Sequence, residues 1–192
     1  MNSLLTFDTS LFSILNSCHA PWADSFFYWV SNRFIWLPLY LIILYWLIKD
    51  YKKKFIPIII GIALTILVSD QTCNLIKNSV ERLRPSHEPT LTESIHLVTQ
   101  PNGKLYKGGK FGFPSAHAAN ASAFTMIVLL FLYKKRKWLL IPFIFWTLLL
   151  CYSRIYLGVH YPIDILGGIL LGCLITAIFM LPIRYYIKQK NN

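Results

Sequence analysis

Tyr161-Pro-Ile-Asp164-Ile-Leu-Gly-Gly168-Ile-Leu-Leu-Gly172-Cys-Leu-Ile-Thr-Ala-Ile-Phe-Met-Leu181 is the stretch on which the fold turns. Beyond Asp164 it carries no charge, and it has the length of roughly 20 residues that a helix needs to cross a bilayer. Gly168 and Gly172 fall four apart on one helical face, where missing side chains would let a second helix approach closely. Ordinary glycine content of membrane helices is the alternative. Working outward, Trp138 to Ser153, Pro114-Ser115 to Tyr133, and about Phe55 to Lys77 read as three more spans. Phe34 to Ile48 is short of the roughly 20 residues required. A span there is expected to begin nearer Asp24, taking in Phe26, Phe27, Tyr28 and Trp29 as an interfacial aromatic belt. Arg33 would then lie at the interface and snorkel or face protein. Residues 4–18 are apolar but broken by Asp8, Asn16 and several hydroxyls, so residues 1–23 read as an interfacial N-terminal segment. Residues 86–113 read as an extramembrane loop, with a hairpin near Asn102-Gly103. The expected fold is therefore all-α, an integral-membrane bundle of about five transmembrane helices plus an N-terminal interfacial helix, in a single domain over residues 1–192.

Composition agrees. The 192 residues are 55% hydrophobic, 16% aromatic and only 14% charged, more apolar surface than a soluble domain of this size can hide. The net charge of +11 invites a nucleic-acid reading, but the basic residues cap apolar segments instead of forming a stripe. Lys49 with Lys52 to Lys54, Lys134 to Lys137 (with Arg136), and Arg184, Lys188 and Lys190 form three clusters. That is the pattern of cytoplasmic loops facing anionic headgroups, so no nucleic-acid partner is expected. Cys73, Cys151 and Cys173 lie inside apolar segments and Cys18 stands alone, which gives no disulfide framework. No Cys/His spacing suggests a metal, and no basic n-region precedes a cleavable apolar stretch at the start. With an odd number of spans and all three basic clusters inside, the N-terminus is expected outside and the C-terminus inside.

Three short stretches carry chemistry: Lys77-Asn-Ser-Val-Glu-Arg-Leu-Arg84-Pro85, Pro114-Ser115-Ala116-His117, and Ser153-Arg154-Ile-Tyr-Leu-Gly-Val-His160-Tyr-Pro-Ile-Asp164. All lie at span ends, and the topology places all of them on the outer face. His160 and Asp164 are one helical turn apart. A carboxylate on one imidazole nitrogen fixes the tautomer and frees the other nitrogen to attack. Ser115 suits a helix N-cap whose neighbouring N–H groups point at an anion, and His117 in that first turn suits a general acid. Lys77 and Arg84 supply fixed cations for phosphate oxygens. Taken singly, each stretch has a plainer alternative: Asp164 and Ser115 as mere helix caps, the cations as an interfacial basic cluster.

Taken together, Lys-x6-Arg-Pro, Pro-Ser-x-His and Ser-Arg-x5-His-x3-Asp resemble the three-part signature of the type-2 phosphatidic acid phosphatase (PAP2) family, the lipid phosphate phosphatases. Order, spacing and span-end placement match over about residues 55–183. Ala116 stands where the family's middle motif has glycine; it narrows the approach slightly and keeps its N–H. The resemblance implies a bacterial membrane enzyme, without metal or other cofactor, that forms a phosphohistidine. It implies His160 as nucleophile, Asp164 orienting it, and His117 as the acid that protonates the leaving oxygen. It implies Lys77, Arg84, Ser115, Ala116 and Arg154 as phosphate holders.

The implied substrate is a lipid phosphate or diphosphate met in the bilayer at the outer face of the cell (inner) membrane: undecaprenyl diphosphate, lipid A, phosphatidic acid or phosphatidylglycerophosphate. Lys104, Lys107 and Lys110 in the outer loop suit a second anionic group or remain solvated loop charges. Transfer of the phosphoryl group to another lipid is the alternative to hydrolysis, and a non-catalytic transporter subunit the more distant one. Asp70, within the second span, suits either a functional role or a structural hydrogen bond. His19, His87 and His96 read as loop residues without partners.

Overall fold

The computed structural model describes residues 2–189, so the Lys190 of the third basic cluster lies outside the described residues. The chain forms helices α1 (Asn2–Ser17), α2 (Pro21–Val30), α3 (Leu37–Tyr51), α4 (Phe55–Val80), α5 (Ala116–Leu132), α6 (Leu140–Tyr156) and α7 (Pro162–Gln189). Three stretches are long and apolar enough to cross a bilayer: Arg33–Val80, Lys137–Tyr156 and Pro162–Gln189; α5 is apolar but shorter. Lys52, with a φ of 48°, and the short turn Lys52–Lys54 divide the first stretch into α3 and α4.

Side-chain pairings give the directions. Tyr40 meets Phe124 and Tyr51 donates to the Phe131 carbonyl, so α3 runs alongside α5. Asn120 on α5 donates to Asp70 on α4 at 2.9 Å, with Lys77 further along toward the start of α5, so α4 runs the other way. Helix α6 returns past α5 through a Thr125–Thr147 hydroxyl pair at 2.7 Å. These reversals bring the ends of α4 and α6 and the starts of α5 and α7 to one end of the bundle. The clusters at 52–54 and 134–137, with Arg184 and Lys188, fall at the other.

Helices α5 and α7 pack together most extensively among the described helices, and glycine lets them approach. A Cβ on Gly172 would stand 2.1 Å from the Ala119 carbonyl oxygen, and one on Gly168 would stand 2.3 Å from that of Ser115. In lipid, where apolar burial gives no net drive, such backbone approach is what holds helices together. Ser122 adds a hydroxyl bond to the Ile169 carbonyl of α7 at 3.2 Å.

The start of the first span differs from expectation. Helix α2 stops at Val30, and the chain turns through Ser31 and Asn32 before a 3₁₀ turn, Arg33–Trp36, leads into α3. The Asn32 side chain accepts the Phe34 N–H at 3.0 Å, a cap that starts a new helix, and Pro38 sits in the first turn of α3. Aromatic residues 26–29 therefore belong to a separate helix, and Arg33 stacks over the Phe34 ring at 5.3 Å. Helix α1 does form, but Asp8, Phe12 and Asn16 make one buried stripe. Asn16 donates to the carbonyls of His96, Ile155 and Tyr156 and accepts the His96 N–H at 2.8 Å. The polar residues that seemed to interrupt the helix are the ones that dock it. The hairpin at Asn102-Gly103 is present, with Thr99 bridged to Leu105 and Gly103 at a φ of 79°.

Candidate active site

Each motif is placed by a local rule. The segment after α4 runs antiparallel to residues 110–112: Arg84 N–H donates to the Lys110 carbonyl at 3.1 Å, and Gly112 N–H to that of Arg82 at 2.8 Å. This bridge carries Arg84 inward until it is 9% exposed. Gly112 must be small, since a Cβ there would lie 2.8 Å from the Asp164 carboxylate. Ser115 caps α5, its hydroxyl accepting the Ala118 N–H at 3.4 Å, while its own N–H donates to the Asp164 carbonyl at 2.9 Å. The N–H groups of Ala116 and His117 have no acceptor among the described residues, which leaves two donors of a helix N-terminus unused.

His160 is 1% exposed and its two ring nitrogens face different partners. Nδ1 lies 3.4 Å from Asp164 Oδ2, and Nε2 lies 3.0 Å from Arg84 Nη1. Because a guanidinium only donates, Nε2 is the acceptor and Nδ1 carries the hydrogen toward Asp164. Asp164 Oδ2 also accepts the Tyr161 N–H at 3.0 Å. Burial first, then the charges of Arg84, Arg154 and Lys77, hold the His160 imidazole well below its usual range, so the ring is neutral.

Around that ring three cations converge. Arg84 donates only to neutral acceptors, the carbonyls of Phe111 (3.0 Å) and Val159 (3.3 Å) and His160. Arg154, 2% exposed, donates to the hydroxyls of Ser31 and Tyr106, and its Nε has no partner among the described residues. Lys77 lies within electrostatic reach of Arg84 and Arg154. None of the three is ion-paired to a carboxylate among the described residues. His117 is exposed, without a hydrogen bond among the described residues, and lies within electrostatic reach of Arg154, His160, Arg84 and Lys77. The three motifs thus meet in one place, with all eight sequence-nominated residues around it. Among the described residues, no three His, Cys, Asp or Glu side chains gather as a metal centre would need.

A family model for the PAP2 superfamily matches residues 55–188. The chain belongs to the PAP2 superfamily. It is 40% identical over 168 residues to a lipid A 4'-phosphatase of Bacteroides thetaiotaomicron, covering 86% of this chain and 72% of that one. It is 31% identical to the lipid A 4'-phosphatase of Porphyromonas gingivalis over 99% of this chain and 78% of that one. The fold matches the PAP2-type phosphatidylglycerolphosphate phosphatase of Bacillus subtilis with a TM-score of 0.68 at 22% identity, over 98% of this chain and 88% of that one. It matches Aquifex aeolicus LpxE with 0.63 at 24%, over 90% and 93%. The relatives with curated names are phosphatases, and this PAP2 protein is a membrane phosphatase of the same kind.

Sequence reasoning missed several residues at this PAP2 site. Ser31 and Tyr106 hold Arg154. Arg82 binds Asp164 Oδ1 at 2.9 Å and Asp8 Oδ2 at 2.6 Å, and its guanidinium stacks over the Tyr161 ring at 4.3 Å. His96 is not partnerless: it binds Asp24 at 2.8 Å and stacks on His19 at 3.9 Å. Asp70 has the structural hydrogen bond, from Asn120, that was one of its two readings.

Proposed function

We propose that this protein hydrolyses the phosphate monoester of a lipid A-type glycolipid at the outer membrane face through a phosphohistidine. The observation that carries the reaction is the convergence on neutral His160 of three cations without carboxylate partners among the described residues. An approaching phosphate dianion supplies the missing negative charge, and Arg84 exchanges His160 Nε2 for a phosphate oxygen. Nε2 then attacks phosphorus, the P–O bond to the lipid breaks, and His117 delivers a proton to the leaving oxygen. Water next attacks phosphorus while giving its proton to His117, the P–N bond breaks to release His160 Nε2, and inorganic phosphate departs. Lys77, Arg84, Arg154, Ser115 and the N–H groups of Ala116 and His117 stabilise the charge that spreads over the phosphoryl oxygens.

The substrate reading rests on the two relatives named lipid A 4'-phosphatase, which align over nearly the whole chain. Two relatives whose names carry undecaprenyl-diphosphatase are 27% and 28% identical over 88% and 94% of this chain, and a third is 39% identical over 67 residues, 35% of it. Lys110 borders the site on the 110–112 bridge, and Lys104 and Lys107 precede it in the same loop; all three are exposed and suit a second anionic group on the headgroup. The outer-face assignment rests on the basic clusters lying at the opposite end of the bundle.

The decisive experiment is phosphate release by purified protein in detergent with a chelator present, compared across lipid A, undecaprenyl diphosphate and phosphatidic acid. Lipid A should be turned over fastest; a preference for undecaprenyl diphosphate would overturn the substrate reading. Appearance of the phosphate on an acceptor lipid, with no free phosphate, would convert the enzyme to a transferase. Cells carrying Cys18→Ser with Lys104→Cys should label with an impermeant thiol reagent, and cells with Cys18→Ser and Lys134→Cys should not. The reverse result would place the site in the cytoplasm.

A further inference from the structure

Helix α1 reaches the reacting centre through one residue. We propose that Arg82, clamped by Asp8, is a positioning residue for the Asp164–His160 pair, so that turnover depends on α1 being docked. The proposal rests on the reading of His160 as nucleophile.

Asp164 is held at both oxygens. Oδ2 accepts the Tyr161 N–H at 3.0 Å and faces His160 Nδ1, while Oδ1 accepts Arg82 Nη1 at 2.9 Å. With one oxygen tied to the backbone and the other to a guanidinium, the carboxylate plane is fixed and with it the imidazole tautomer. A long arginine cannot fix anything unless it is fixed itself. Asp8 does this by accepting Arg82 Nη2 at 2.6 Å, and Tyr161 does it by stacking under the guanidinium.

Asp8 is in turn 1% exposed and accepts the Ile163 N–H at 2.9 Å, one residue from Asp164. Phe12, a turn further along α1, packs edge-on against the Tyr161 ring at 5.3 Å. The carboxylate therefore sits in a frame assembled by α1, the segment after α4 and the start of α7.

The charge count supports a positioning role. Arg82 alone would neutralise Asp164 and weaken its hold on the imidazole. With Asp8 added, the three side chains carry a net single negative charge, which restores what the imidazole needs as it turns cationic during attack. Arg82 is also unlike Arg84 and Arg154, because both its terminal nitrogens are bound to carboxylates.

The test compares steady-state phosphate release from lipid A by wild type, Asp8→Asn, Arg82→Met, the double variant and His160→Ala. Asp8→Asn keeps the size and the acceptor for the Ile163 N–H while losing the charge. It should lower kcat about 100-fold, the effect of a small misplacement of a reacting group, with KM within about twofold. Arg82→Met should do the same, and the double variant should be no worse than Arg82→Met.

An unchanged kcat in folded Asp8→Asn, a loss that appears in KM, or losses that multiply in the double variant would each overturn the proposal. Should Asp8→Asn not fold, Asp8→Glu retains the charge but displaces the carboxylate, and its kcat must fall with KM unchanged. Turnover surviving in His160→Ala would overturn the nucleophile reading and this proposal together. A dead His160→Ala beside a normal Asp8→Asn would overturn the proposal alone.

Discussion

The two ends of this bundle are both rich in cations, yet they treat them in opposite ways. At the far end the chain exposes Lys52, Lys53, Lys134 and Lys135. There Asp50 accepts from Lys135 at 3.1 Å and from Arg136 at 2.5 Å. Asp50 and Arg136 are largely buried, but the lysines are solvated, and an exposed charge of that kind contributes only about 0–1 kcal/mol. At the motif end Arg84 and Arg154 are buried without a carboxylate partner among the described residues. Burial, and then the neighbouring charge of Arg154, lowers the Arg84 guanidinium to about 10. Desolvated cations held close together destabilise the empty protein and favour an incoming dianion. Net charge cannot tell these ends apart; burial and pairing can.

That contrast can be broken most sharply at the histidines. His160→Ala and His117→Ala should each lower phosphate release by about 10³-fold or more, with the variant proteins still folded and inserted, because in the proposed reaction each supplies a step that no neighbour replaces. A phosphoenzyme stable to alkali and labile to acid should be trapped with wild type and be absent from His160→Ala. Arg154→Ala should lower kcat/KM by about 10²-fold, the cost of removing one preorganised donor, and Lys77→Ala should act in the same direction.

The pH response gives a smaller, directional test. Since the His160 ring is held below its ordinary range, it remains the free base through about pH 6.5, and the acid limb of kcat/KM that it governs should lie lower still. Removing one of the causes in Arg84→Gln should move that limb upward. Stability follows the same sign. The unfolded chain takes up a proton at His160 as pH falls through about 6.5 and the folded protein does not. The contribution of the neutral ring is thus complete above that pH and shrinks toward the folded value, as thermal unfolding against pH would register. At the far end, Lys134→Ala and Lys135→Ala should change turnover by less than about twofold and stability by under about 1 kcal/mol. A large loss there would erase the distinction between the ends.

Much of the site was legible before the fold. Three motifs at span ends, with basic residues at the other ends of those spans, suffice to gather Lys77, Arg84, Ser115, His117, Arg154, His160 and Asp164 on one face. Of the two readings of the Gly168–Gly172 pair, close approach is the one the structure bears out, because four-residue spacing places both on the side that meets α5. The first span read less well. Asn32 followed by Pro38 is a start signal for α3, but the aromatic run at 26–29 obscured it by extending the apolar pattern backward.

What the sequence alone determined is what local patterns encode: apolar runs the length of a bilayer, helix caps, and motifs whose members lie within a few turns of one another. What only the tertiary structure decided is which distant polar groups meet. Asp8 reaches Arg82 and Ile163, Ser31 and Tyr106 reach Arg154, and Asp24 reaches both His96 and Tyr156. No spacing announces such pairs, since their partners come from separate elements. They form because packing removes these groups from water, where each buried donor or acceptor must find a partner or pay the loss of one. Asp8 and Asn16 make the point most plainly: as sequence they interrupt an apolar segment, and as structure they fasten it to the motif end.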